Sequence, residues 1–199
     1  MEGFSLSVAR DVVEVLSLLY RRGLVQVTGG NVSVFEGGLV YISPTGLPRH
    51  RLSPGDVAVM TLDGGVLRGR PSSEWRMHLE VYRRLGSKGV RAVVHAHPPK
   101  VLAAVEAGVE LDAALFTEAR LRIGCVVVVP RLEPGTRELA EAVASALEGS
   151  GCRAAVLRGH GAVTVSDSLW RALDAMESLE DLASITLDAV RLRGVCGGG

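Results

Sequence analysis

Aromatic side chains are scarce in this sequence, at 4% of 199 residues, and lysine is nearly missing, with Lys88 and Lys100 the only two. Formal charge is balanced, 22 basic residues against 22 acidic. A nucleic-acid groove needs a basic footprint and stacking platforms, and this chain offers neither. No window holds eighteen consecutive apolar residues, and the N-terminus lacks a basic segment followed by an apolar stretch and cleavage site. A soluble, cytoplasmic protein is expected. The three cysteines, Cys125, Cys152 and Cys196, include no Cys-x-x-Cys pair, and their odd number argues against a disulfide framework. Cys125 lies in an apolar run and reads as core. These absences leave a small neutral or anionic metabolite as the expected ligand.

The length suits one domain over residues 1–199, large enough to bury a core without staples. Val8, Val12, Val15, Leu16 and Leu19 fall at helical spacing between Ser7 and Arg22, and Gly23 follows as a stop. Val32 to Phe35 and Leu39 to Ser43 alternate like strands around Glu36-Gly37-Gly38, and Val57 to Leu62 returns through Asp63-Gly64 into Val66-Leu67. An antiparallel meander is predicted. Next come a helix opened by Pro71-Ser72-Ser73-Glu74 with Ser72 or Ser73 as cap, a strand from Ala92, and a helix over Pro98 to Ala107. A buried strand over Cys125 to Val129, a helix over Thr136 to Leu147, strands over Ala154 to Leu157 and Ala162 to Val165, and a helix over Ser168 to Arg191 complete the order. The tail from about residue 194, which ends in three glycines, is expected to be disordered. This order predicts an α/β fold, a three-layer α/β/α sandwich around a mostly antiparallel central sheet, with a doubly wound parallel sheet as the alternative.

The most informative stretch is Ala92-Val93-Val94-His95-Ala96-His97-Pro98. Residues two apart on a strand share a face, at about 7 Å between Cα atoms, so His95 and His97 can turn toward one ion. A polar rim at a strand end fits the same pattern. Arg158-Gly159-His160-Gly161 adds a third histidine between glycines, and three imidazoles suit zinc with one coordination position open.

Three turns repeat one chemical theme of hydroxyls, an amide side chain and accessible backbone N–H groups: Thr28-Gly29-Gly30-Asn31, Ser43-Pro44-Thr45-Gly46 and Ser72-Ser73. Such turns hold phosphate without lysine, and each taken singly also fits ordinary turn chemistry. Glu74 follows the serine pair, placed as a general base near phosphate and metal or as a first-turn residue stabilising the helix dipole. Glu74 and His78, at i and i+4, form an alternative metal pair. His50, in an arginine-flanked loop, reads as surface.

These motifs resemble the class II aldolase/adducin family, most closely its zinc-dependent L-fuculose-1-phosphate aldolases, over nearly the whole chain. Thr28-Gly29-Gly30-Asn31-Val32-Ser33 looks like the first phosphate loop of that family, Ile42-Ser43-Pro44-Thr45-Gly46 like its second, and Pro71-Ser72-Ser73-Glu74-Trp75-Arg76 like its serine pair with catalytic glutamate. Val94-His95-Ala96-His97 and Gly159-His160-Gly161 are similar to its zinc ligands, with Gly135-Thr136-Arg137-Glu138-Leu139 between them. The resemblance implies one zinc per subunit on His95, His97 and His160, with Glu74 near the metal at rest and free to act once substrate chelates zinc. It implies phosphate contacts from Thr28, Gly30, Asn31, Thr45, Gly46, Ser72 and Ser73, and a homotetramer with active sites at subunit interfaces.

Two positions depart from the pattern. Where the family carries an acid tyrosine, ungapped alignment back from Gly135 places Phe116, which has no proton to transfer, and the nearest polar groups are Thr117 and Glu118. A C-terminal tyrosine of the family has no counterpart after Asp188. The expected reaction is reversible cleavage of a ketose 1-phosphate to dihydroxyacetone phosphate and an aldehyde through an enediolate, with Glu118 a possible secondary acid/base. Three alternatives stand beside it. A pentulose-phosphate 4-epimerase has aspartate where this chain has Glu74, a sugar-phosphate dehydratase lacks the Ser-Ser-Glu motif, and a non-catalytic adducin-like module lacks the histidines.

Overall fold

The structure, a computed structural model, describes residues 4–196. The first helix, α1 (Leu6–Arg21), is capped by Ser5, whose hydroxyl accepts the Val8 N–H, and it buries Val8, Val12, Val15, Leu16 and Leu19. Strands β1 (Asn31–Glu36), β2 (Leu39–Ile42), β3 (Ala58–Thr61) and β4 (Val66–Arg68) form the expected antiparallel meander. The chain continues through α2 (Trp75–Leu85), β5 (Ala92–Ala96), α3 (Pro99–Glu106), α4 (Thr117–Arg122) and β6 (Val126–Val129). It ends with α5 (Arg137–Ser150), β7 (Ala154–Leu157), β8 (Gly161–Ser166) and α6 (Leu169–Cys196).

All eight strands join one sheet in the order β4-β3-β2-β1-β5-β8-β7-β6. Only β6 and β7, linked through α5, run parallel. This excludes the doubly wound alternative and leaves three layers. Ala92, Val94 and Ala96 of β5 pack with α1, α3 and α6, while Val93 faces the other way and packs with α2 and α5. Strand alternation thus feeds two apolar clusters from one sheet. No helix among the described residues is long and apolar enough to cross a membrane.

The structure corrects four expectations. Cys125 is exposed rather than core, and it is disulfide-bonded to Cys152 with 4.9 Å between Cα atoms. The odd count concealed this pair, because Cys196 alone is left over. The strand at 126–129 is not buried throughout: it is the sheet edge, flanked by β7 alone, and only Val129 is fully enclosed. Helix α4 went unrecognised because it is one and a half turns long, buries only Ala119 and has no side-chain cap. Finally, α6 extends to Cys196. The rest of the glycine tail, 197–199, lies outside the described residues.

The disulfide ties the start of the edge strand to the segment entering β7 across a separation of 27 residues. A loop of that length confines the unfolded chain by about 3 kcal/mol. Urea unfolding of Cys152→Ser, compared with the oxidised wild type, is expected to show a loss of about that size, and reductant should lower only the wild-type midpoint. Equal midpoints for the two proteins under oxidising conditions would remove the staple from the account.

Candidate active site

Strand β5 lies near the centre of the sheet and is buried along its whole length. Because alternate residues face alternate layers, His95 shares the α2 side with Val93. Asn31 on β1 is its cross-strand partner, and Ser33, opposite Val93, continues the same row. His97 follows two residues after His95. His160 arrives from the other side, in the tight turn between β7 and β8, where Ala162 pairs with Ala96.

Glycine makes that approach possible. A Cβ on Gly161 would lie 2.3 Å from the Ala96 carbonyl oxygen and 2.9 Å from both His95 Cε1 and His97 Cδ2. With only hydrogen there, the three rings converge at centroid separations of 5.1, 4.8 and 5.8 Å, and one nitrogen of each lies within 4.8 Å of the others. Two rings have their protons assigned by their neighbours. His95 Nδ1–H donates to the Ala162 carbonyl at 3.0 Å and His97 Nδ1–H to Gln26 Oε1 at 2.6 Å, so each presents an Nε2 lone pair.

Glu74 closes the group. Its carboxylate oxygens lie 3.1 Å from His95 Nε2 and 3.3 Å from His160 Nε2. Yet Glu74 Oε1, His95 Nε2 and His160 Nδ1 are buried without a hydrogen-bond partner. A lone pair facing a carboxylate oxygen at 3.1 Å is repulsive unless positive charge sits with them, and buried orphans of this kind usually mark an ion. Burial, then the repulsion a proton on His97 would meet from protonated His95 or His160, lowers His97 to about 4, and burial lowers His160 as well. Both are therefore neutral ligands at neutral pH. Burial pushes the Glu74 carboxyl up, but His95 beside it, then His160, each of which carries positive charge only when protonated, and the Asn31 hydrogen bond draw it well below the usual carboxylate range. A cation held by the same imidazoles acts in the same sense, so the three histidines with Glu74 fit a metal ion.

The carboxylate is held by a chain of buried polar groups. Asn31 Nδ2 donates to Glu74 Oε2 at 2.9 Å, so its Oδ1 must accept, and the donor is His78 Nε2–H. The neutral His78 then accepts at Nδ1 from Ser33, 2.7 Å away, and Ser33 accepts from the Tyr82 hydroxyl at 2.6 Å. Every donor in Tyr82–Ser33–His78–Asn31–Glu74 points toward the carboxylate. The alternative Glu74–His78 metal pair is thereby corrected, because both His78 nitrogens are occupied. Ser33, Tyr82 and Gln26 are functional neighbours that motif reading missed. The available signal was parity: Asn31 and Ser33 are polar at core-facing strand positions.

The turns converge on this site in part. Ser72 is buried, and its hydroxyl accepts the Glu74 N–H at 3.3 Å, so Glu74 rather than a serine occupies the helix cap position. The Ser72 N–H donates to the Ser43 carbonyl at 3.0 Å, which joins the serine pair to the second turn. Gly30 is buried at φ +64°, where a Cβ would lie 2.3 Å from Val25 Cγ1 and 2.9 Å from the His95 carbonyl oxygen. Thr28, Gly46 and Ser73 are exposed and Thr45 half-buried, whereas the Asn31 side chain is already committed to Glu74 and His78. Arg49, also unforeseen, bonds carbonyls of both the first and second turns. His50 is exposed and stacks on Tyr20. Phe116 packs against the α1, α3 and α6 layer, and Glu118 is exposed in the first turn of α4, so neither joins the histidines.

Two outcomes follow from this geometry. Burial holds His78 at about 3, against 6.5 in an unfolded chain, with His95 charge adding to the shift and Glu74 opposing it. Between those values the unfolded chain binds a proton that the folded chain refuses, so stability is full above about pH 6.5 and falls on acidification. Urea unfolding of the metal-free protein should show a loss of about 2 kcal/mol from this group between pH 6.5 and 5, and a flat profile would mean that His78 is not held neutral. Gly161→Ala must push the Ala96 carbonyl or the two rings aside, and we expect metal stoichiometry measured by mass spectrometry to drop well below that of the wild type.

Residues 10–187 match the model of the class II aldolase and adducin N-terminal domain. The chain is similar to an L-fuculose phosphate aldolase of Methanococcus maripaludis, 34% identical over 88% of this chain and 93% of the relative. It is also similar to a 5-deoxy-D-ribulose 1-phosphate aldolase of Bacillus thuringiensis, 38% identical over 88% of this chain and 82% of that protein. The solved L-fuculose-1-phosphate aldolase of Thermus thermophilus superposes with a TM-score of 0.80 at 32% identity, covering 96% of this chain and 97% of its own. With the fold, the three-histidine cluster and these likenesses in agreement, the chain belongs to the class II aldolase/adducin family and is one of its aldolases.

Proposed function

We propose that this aldolase is zinc-dependent and cleaves a ketose 1-phosphate reversibly to dihydroxyacetone phosphate and an aldehyde. The observation that carries the reading is the unpartnered Oε1 of Glu74, buried beside three imidazoles whose lone pairs converge. Relatives named for fuculose phosphate and 5-deoxy-D-ribulose 1-phosphate support a phosphorylated ketose as substrate.

His95, His97 and His160 would hold the zinc, a set that suits a catalytic site with an open position. Bound there, zinc would supply Lewis acidity for the charge left on oxygen when the C3–C4 bond breaks. Glu74 carries the proton to and from C3. Its two oxygens are not equivalent: Oε2 is fixed by Asn31, so Oε1 is the atom that exchanges the proton. The chain through His78, Ser33 and Tyr82 prevents the carboxylate from rotating. Thr28, Gly30, Asn31, Thr45, Gly46, Ser72 and Ser73 surround the phosphate, with Asn31 contributing its backbone because its side chain serves Glu74. On the aldehyde side Phe116 supplies no proton. Glu118, exposed on α4, is the nearest acid/base group in sequence, and it acts across a subunit interface of a cytoplasmic homotetramer.

The test needs no knowledge of the aldehyde. Zinc-loaded protein in D2O is expected to exchange one C3 hydrogen of dihydroxyacetone phosphate, followed by proton NMR. Glu74→Gln, which retains a hydrogen-bonding shape but has no base, should lose at least a hundredfold in that rate with zinc content unchanged. No exchange by the wild type, combined with loss of water from a ketose phosphate, would replace the aldolase reading by a dehydratase. A panel of aldehydes then identifies the second substrate.

A further inference from the structure

Arg49 is 3% exposed, and among the described residues no carboxylate lies within salt-bridge distance of it. Its neighbours are peptide carbonyls. Nε donates to Gly29 O at 2.9 Å, Nη1 to Pro44 O at 2.7 Å, and Nη2 to Thr28 O at 2.7 Å and Gly30 O at 2.9 Å. One guanidinium therefore ties the glycine turn before β1 to the turn after β2, segments far apart in sequence. Burial lowers it to about 10, which leaves it charged at neutral pH. Its charge also reaches His97, so it stands close to the metal cluster. A buried cation without a counter-ion is costly unless something negative completes it.

The peptide geometry says where that anion goes. In a trans peptide the carbonyl and the following N–H point in opposite directions. With the carbonyls of Thr28, Gly29 and Gly30 gathered on Arg49, the following N–H groups face away from it. Gly29 N–H is used by Gln26, whereas Gly30 N–H has no backbone acceptor among the described residues. Thr45 N–H, which follows the Pro44 carbonyl, donates to Arg70 O at 3.1 Å, and Asn31 is paired with His95 in the sheet. The Gly30 N–H, with a fixed positive charge behind it, is thus the peptide donor left for an anion.

We infer that Arg49 is the positioning residue of the phosphate subsite, locking the two turns together through their carbonyls and supplying the charge behind the Gly30 N–H without touching the phosphate itself. This rests on the reading of the turns as a phosphate site, and it adds the source of the positive charge in a site that has no lysine. Arginine suits the task because its planar fork serves four carbonyls at once, and lysine has three donors at most.

The experiment is calorimetric titration of inorganic phosphate into the zinc-loaded full-length protein, for wild type, Arg49→Lys and Arg49→Met, with zinc stoichiometry measured on each. Arg49→Met is expected to weaken phosphate binding at least tenfold and to flatten its dependence on ionic strength, while Arg49→Lys recovers part of the affinity because it restores the charge. The KM for dihydroxyacetone phosphate in the exchange assay should rise in the same order. Phosphate affinity in Arg49→Met equal to that of the wild type overturns the role of Arg49 alone. A wild type that takes up no phosphate overturns the phosphate site and the role of Arg49 together. Should Arg49→Met not fold, Arg49→Lys decides: unchanged affinity despite fewer carbonyl bonds overturns the inference.

Discussion

A carboxylate removed from water and set against imidazole lone pairs is the interaction on which the rest of this structure depends. Glu74 is nearly buried, its Oε1 has no hydrogen-bond partner, and His95 Nε2 lies 3.1 Å from its other oxygen. An ionised carboxylate in such a place is tolerated only with compensating charge or hydrogen bonds. The protein provides one bond, from Asn31, and leaves the remaining demand to a cation on the three histidines. A metal ion held there would couple its binding to folding, because the groups that cost stability without it are the ones that would hold it. The depression of His97 and His160 removes proton competition from two of the ligands at neutral pH.

Sheet register is what brings these groups together. Asn31 and His95 face the α2 layer because they are cross-strand partners, and Ala96 lies opposite Ala162 one step after the His160–Gly161 turn. A slip of one residue between β1 and β5 would turn Asn31 and Ser33 into the α1 and α6 layer and separate Glu74 from its donor. Valines 32, 93 and 94 resist that slip, since each fills one of the two apolar clusters. Packing of the two layers thereby helps to fix the orientation of the carboxylate.

Much of this was legible before the structure. His-x-His at a strand end, a third histidine between glycines and the Ser-Ser-Glu entry to a helix carry their chemistry in adjacent residues, and the three histidines do lie together. The meander and the long last helix follow from alternation and helical spacing, which are local properties. What escaped was non-local. Tyr82 lies in no motif, Ser33 was only the last residue of the first turn motif and His78 only half of an alternative metal pair; their roles in the buried chain exist because α2 lies across β1. Arg49 lies in no motif, and only its four carbonyl bonds set it apart from the arginines around it, whereas His50 beside it is exposed as expected. The cysteines misled because counting says nothing about which two are brought to 4.9 Å.

The two halves of the proposed reaction are built to different standards, and physics accounts for the difference. Moving a proton at the carbon beside a carbonyl requires a base whose position is fixed within a fraction of an ångström, and here that base is held by a buried chain anchored on central strands. The departing aldehyde needs a shaped boundary and one proton donor. That side falls on residues 109–122, where α4 is short, Glu118 is exposed and Phe116 is turned into the opposite layer. Its exposed positions, Glu118 among them, can vary without disturbing Glu74. Relatives at similar identity are named for two different phosphorylated sugars, which is the pattern expected when the boundary varies around a constant proton-transfer site.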